Sequence, residues 1–102
     1  MNNRKKHSNP DHELYRAILK LESLEECYNF FEDLCTIREI QDISQRFEVA
    51  SMLLEGKNYQ TVSNVTGAST ATICRVSKCL TYGDGGYKTV IEKLEAGEDN
   101  EL

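Results

Sequence analysis

Between Gly67 and Lys78 the chain places short hydroxyls and cations at helical intervals: Ser69, Thr70, Thr72, Arg75 and Lys78. Such a face suits phosphate oxygens, which accept hydrogen bonds and attract cations, and base edges, which short side chains approach closely. Hydroxyls and lysines also make ordinary solvated helix faces, so the elements that would carry these residues decide between the two. Gly67 tolerates the positive φ of a tight turn without a Cβ penalty. Val62 lies five residues before it, and Ile73 and Val76 lie six and nine after it. These are the positions at which two short helices meeting at a glycine pack on each other. Ser63, four before the glycine, is small though polar, and Thr66 stands directly before it where an apolar residue is usual. The spacing favours a DNA-binding helix-turn-helix over residues 59–80 rather than a generic helical hairpin. The DNA-facing set is then Lys57, Gln60, Ser69, Thr70, Ala71, Thr72, Cys74 and Lys78.

The charge pattern supports the same stretch. The 102 residues carry a formal net charge of -5 with pI near 5.0, which taken whole argues against nucleic acid. By segment, residues 1–10 carry +3, residues 11–56 carry -7, residues 57–88 carry +3 and residues 89–102 carry -4. The acid therefore sits in the first half and the tail, and the hydroxyl-bearing stretch is basic. Phosphate neutralisation supplies much of the affinity for DNA, so the distribution outweighs the mean.

The elements around this pair read as helices throughout. Residues 1–10 lack periodicity and read as a mobile basic arm. Leu14, Ile18 and Leu21 share one face of a first helix over about 11–21. Ser23 opens a capping box in which Glu26 reaches back to the Ser23 amide, followed by an apolar stripe through Leu24, Cys27, Tyr28, Phe31 and Leu34. A second box, Thr36 to Glu39, opens the longest helix, whose Ile37, Ile40, Ile43, Phe47, Ala50, Leu53 and Leu54 recur up to a Gly56 cap. Asn58 and Ser69 cap two short helices. The run Gly83-Asp84-Gly85-Gly86 breaks the chain before a last helix over about 87–95, and residues 96–102 read as an acidic frayed tail. Nothing alternates with period two. The chain is all-α, one domain, with a core that is thin at this size (roughly 65% of the unfolded surface buried).

Several function classes find no support. No Ser-His-Asp, Cys-His or paired-histidine constellation marks an enzyme, and the glycine run lacks the lysine of a phosphate loop. No catalytic residue, metal or required cofactor is expected. Cys27, Cys35, Cys74 and Cys79 lack the spacing of a metal knuckle or redox pair, and reduced thiols in a cytoplasm are the natural reading. Cys74 and Cys79 lie about 140° apart around a helix, which disfavours a disulfide between them. The ordinary reading makes one of them semi-buried and one a packing residue, and a thiol switch at Cys74 is the alternative. No apolar run reaches the ~20 residues of a membrane span.

The sequence resembles the Trp repressor family, and within it the YerC/YecD-like branch. The carrying residues are Thr36-Ile-Arg-Glu39, Arg46, Leu53-Leu54-Glu55-Gly56, Thr66-Gly67-Ala68, Ala71-Thr72-Ile73-Cys74-Arg75 and, for that branch, Tyr82-Gly83-Asp84-Gly85-Gly86-Tyr87. The match spans residues 11–95. The resemblance implies an intertwined all-helical homodimer in a bacterial cytoplasm, with two helix-turn-helix heads entering successive major grooves of a near-palindromic operator. It implies a transcriptional regulator, expected to repress, and a small-molecule corepressor held by Thr36, Arg46 and Arg75. Two positions of that pocket depart from the family: Val76 replaces a glycine that leaves room for an indole ring, and Cys79 replaces a hydroxyl residue. Both departures argue for a smaller or more polar amino-acid-like ligand than tryptophan, or for none. The plainer role for Arg46 is an ion pair with Asp42, four residues earlier. The alternative to the whole reading is an all-α protein-interaction module without DNA binding.

Overall fold

The computed structural model describes residues 9–97. Among them are six helices and no strand: α1 (Pro10–Ile18), α2 (Leu24–Leu34), α3 (Ile37–Leu54), α4 (Tyr59–Thr66), α5 (Thr70–Tyr82) and α6 (Gly86–Ala96). The chain divides between Ile37 and Arg38 into two compact units.

In the first unit, Pro10 occupies the first turn of α1, where its fixed φ and missing N–H cost nothing. The Asn9 side chain accepts the His12 amide at 3.3 Å. Asn9 and Pro10 therefore belong to the start of a helix and not to the expected arm. Residues 1–8 of that arm, like 98–102 of the expected tail, lie outside the described residues. The first helix also stops at Ile18, short of Leu21. The Lys20 and Leu21 amides bond three residues back, to Ala17 and Ile18, and this tightening ends the α-helical register. Ser23 caps α2 as expected, its Oγ accepting the Glu26 amide at 3.1 Å. The Glu26 carboxylate reaches back one residue further than expected and takes the Glu22 N–H at 2.9 Å. Neither α1 nor α2 buries a single residue.

The second unit holds the core. Val49 and Ala50 come from α3, Val62 from α4, Ala68 from the turn, Ile73 and Val76 from α5, and Ile91 from α6. Phe47, Met52, Leu53, Leu80 and Tyr87 pack partly buried around them. The end of α3 is closed by Gly56 at φ 89°. There the Gly56 amide bonds Leu53 and the Lys57 amide bonds Met52, the paired pattern of a left-handed helix cap. This closure turns the chain straight into α4. At the far end α5 runs to Tyr82, two residues past the expected Leu80, and stops at Gly83. A Cβ there would lie 2.5 Å from the Cys79 carbonyl oxygen, so only glycine fits.

So few residues make the core that each carries a large share of it. Ile73→Ala should lower unfolding free energy by about 3 kcal/mol, read from the midpoint of a urea titration, because the cavity has little packed surround to collapse into it.

Candidate nucleic-acid interface

The helix pair α4–α5 is built around Gly67, which sits at φ 75° and ψ 5°. Asn58 starts α4 by accepting the Thr61 amide at 2.8 Å, and Ser69 starts α5 by accepting the Thr72 amide at 3.2 Å. Val62, Ile73 and Val76 are all essentially inaccessible to solvent, as their spacing about the glycine requires.

A turn this tight leaves peptide groups without helical partners. Here side chains supply them. The Gly67 amide bonds the Ser63 carbonyl at 2.8 Å. The Thr66 hydroxyl donates to the Val62 carbonyl at 2.7 Å and accepts the Ala68 amide at 3.1 Å. The Ser63 hydroxyl donates to the Ala68 carbonyl at 3.1 Å, and Gln45 of α3 donates its Nε2–H to the Thr66 carbonyl, also at 3.1 Å. The two polar departures in the sequence, Ser63 and Thr66, are thus what satisfies the turn. Sequence reasoning passed over Gln45 altogether. Its signal was a polar residue one helical turn before the buried Val49, on the face of α3 that turns toward the core.

The outer face of α5 carries Thr70, Ala71, Cys74, Arg75 and Lys78, all exposed. Thr72 is half-buried, and its hydroxyl accepts a hydrogen bond from Ser69 Oγ at 3.2 Å, so these two residues serve the cap as well as the surface. On α4, Gln60 bonds Asn64 at 3.1 Å. Lys57 is exposed at the entrance to α4. The ion pairs among the described residues are Arg16–Glu13 and Arg38–Asp42. Lys57, Arg75 and Lys78 therefore pair with no carboxylate among the described residues.

The expected ligand residues fall in different places. Thr36 is exposed just ahead of α3, and Arg75 is exposed on α5. Arg46 is half-buried, and the expected pair with Asp42 does not form. Asp42 pairs instead with Arg38, at 3.7 Å, because that arginine lies one turn before it on the solvent side of α3. Val76, at 1% exposure, belongs to the core. Cys79 lines an open cavity of about 580 Å³ together with Phe47, Tyr87, Val90 and the Gly83–Gly86 connection. The expectation that one of Cys74 and Cys79 is semi-buried and the other packs does not hold. Both are exposed, since Ile73, Val76 and Leu80 occupy the inner face of α5. All four cysteines are free. Among the described residues no group of His, Cys, Asp and Glu can hold a metal ion, and no helix is long and apolar enough to cross a membrane.

Among the described residues, then, the fold is all-helical, and its second unit packs around a capped helix pair that turns at Gly67 and leaves Arg75 and Lys78 exposed. The chain belongs to the Trp repressor family: the family model described as Trp repressor protein matches residues 11–95. It is similar to the uncharacterized protein YerC of Bacillus subtilis (strain 168), 52% identical over 86 residues that cover 84% of this chain and 83% of YerC. Two solved structures are also similar. One is a candidate Trp repressor from Staphylococcus aureus, with 49% identity, a TM-score of 0.80 and coverage of 82% of this chain and 84% of that one. The other is a TrpR-like protein from Eubacterium eligens ATCC 27750, with 51% identity, a TM-score of 0.83 and coverage of 90% and 95%.

The hydroxyl at Thr66 is required, not merely tolerated. Thr66→Val, which keeps the shape of the side chain, should lower stability by about 1–3 kcal/mol in chemical denaturation, because the Ala68 amide loses its partner inside the turn.

Proposed function

We propose that this protein is a sequence-specific transcriptional regulator, a repressor, that binds double-stranded DNA as a homodimer through α4 and α5 acting as a helix-turn-helix. One observation carries the reading: the inner face of α5 is committed to the Gly67-centred core, while Thr70, Ala71, Arg75 and Lys78 on its outer face are left open. Family membership supports it, since the family is one of regulators. So does the charge pattern, with +3 over residues 57–88 in a chain of net -5, which would direct the heads to DNA and turn the acidic body away.

The homodimer rests on the first unit. Two short helices with no fully buried residue are marginal in water on their own. Leu19, Leu24 and Ile37 are more than two-thirds exposed. A second copy, intertwined through these helices, would cover them. Its symmetry would set the two heads about 34 Å apart, matching successive major grooves of a near-palindromic operator. The site of action is the bacterial cytoplasm, where the DNA lies.

DNA affinity should fall steeply with salt. Lys78→Ala should weaken binding to all sequences and lower the slope of log K against log salt by about one, while Thr70→Ala should weaken binding with the dimer intact. Fluorescence anisotropy with fragments of the source genome checks both. A protein that prefers no genomic fragment over random competitor and elutes unchanged with a duplex in size exclusion is instead an all-α interaction module.

Arg46 favours a further element of this reading. It is half-buried, with no hydrogen bond or ion pair among the described residues. A small amino-acid-like corepressor other than tryptophan, its carboxylate taken by Arg46 and Arg75, would supply the missing charge. Val76 occupies core space and limits the ligand's bulk. Calorimetric titration with a panel of amino acids should give heat for a small or polar member and none for tryptophan. No heat from any, with DNA binding intact, removes the ligand.

A further inference from the structure

The one side chain outside α4 and α5 that hydrogen-bonds the turn between them is Gln45, among the described residues. Its Nε2 lies 3.1 Å from the Thr66 carbonyl oxygen, 21 residues away in sequence, and the contact is partly buried. The bond joins the long helix α3 to the last residue of α4, immediately before Gly67 bends the chain toward α5. The other polar groups of the turn are satisfied locally, by Ser63 and Thr66. Apolar packing of Val62, Ile73 and Val76 against Val49 and Ala50 holds the pair to α3 but is not directional, so it allows small rotations of the helix pair. A hydrogen bond is directional and weakens steeply as its angle departs from linear. Gln45 sits four residues before the buried Val49, so its own backbone is carried on the best-packed part of α3.

We propose that Gln45 is the positioning residue of the DNA-binding head: its hydrogen bond to the Thr66 carbonyl fixes the angle at which α4 and α5 leave α3, and so the angle at which the outer face of α5 meets DNA. This rests on the DNA-binding reading above and adds to it a residue that touches no nucleic acid. Because Arg46 follows Gln45 in the chain, the latch also lies directly beside the candidate ligand arginine.

Gln45→Met keeps the length and removes the donor, and Gln45→Asn keeps the donor and shortens the arm by one methylene. Both are to be compared with the wild-type full chain by amide hydrogen exchange and by affinity for its best genomic duplex at fixed salt. The expected result for each variant is exchange at the Ala68 amide about ten-fold faster, exchange at the Ile91 amide unchanged, and a Kd about five-fold weaker, the loss of one hydrogen bond's net contribution. A bond that only adds global stability would speed exchange at Ala68 and Ile91 alike and leave Kd unchanged well below the melting temperature. That pattern overturns the proposal, as does faster exchange at Ala68 with unchanged affinity. If Gln45→Met fails to fold, Gln45→Asn decides the matter alone. A wild-type chain that binds no duplex overturns the DNA reading and with it the positioning role, while the exchange at Ala68 still shows whether Gln45 holds the turn.

Discussion

The second unit depends on closing the polar groups of one partly buried turn. Val62 is wholly inaccessible and Ala68 2% exposed, and Ser63 and Thr66 between them are half-buried, so the groups of the turn that reach inward need partners from the protein. An unpaired buried amide or carbonyl costs on the order of 1–3 kcal/mol, a large part of the stability of a domain this small. The Ser63 and Thr66 hydroxyls, the Gly67 amide and the Gln45 carboxamide together satisfy the turn. Only with those bonds made can Val62, Ile73 and Val76 meet at the centre of the core.

That closure also divides labour along α5. Ile73, Val76 and Leu80 face inward at three- and four-residue steps, which leaves Thr70, Ala71, Cys74, Arg75 and Lys78 outward by the geometry of the helix alone. The cap residues Ser69 and Thr72 straddle the two roles, since their hydroxyls bond each other while Ser69 remains exposed. Val76 illustrates how one residue serves one side of such a division. Its side chain belongs wholly to the core.

The two units differ in how they obtain stability. Residues from α3 to α6 make a small but closed core, with helix ends satisfied by Asn58, Ser69 and the Gly56 closure. Helices α1 and α2 have well-made caps at Asn9 and Ser23, yet no residue of either is fully buried. Capping sets where a helix begins but contributes only about 1 kcal/mol, so it does not replace a packed face. The exposed part of their apolar stripes, Leu14, Leu24, Tyr28 and Leu34 among it, is the physical basis for the proposed dimer.

Local patterns determined much of this protein. The helical periodicity of α2 through α6, the caps at Ser23, Asn58 and Ser69, and the left-handed positions at Gly56 and Gly67 are short-range matters of sterics and hydrogen bonding, and they are legible residue by residue. The inward positions Val62, Ile73 and Val76 follow from the same spacing. What the tertiary structure decided are the choices among competing partners, near and far in the chain. Arg38 rather than Arg46 takes Asp42, Glu26 reaches the Glu22 amide, and both Cys74 and Cys79 turn outward. Above all, Gln45 meets a carbonyl 21 residues away. Such choices depend on which of several nearby partners the packed helices bring within about 3 Å, and a one-dimensional pattern carries no information at that scale.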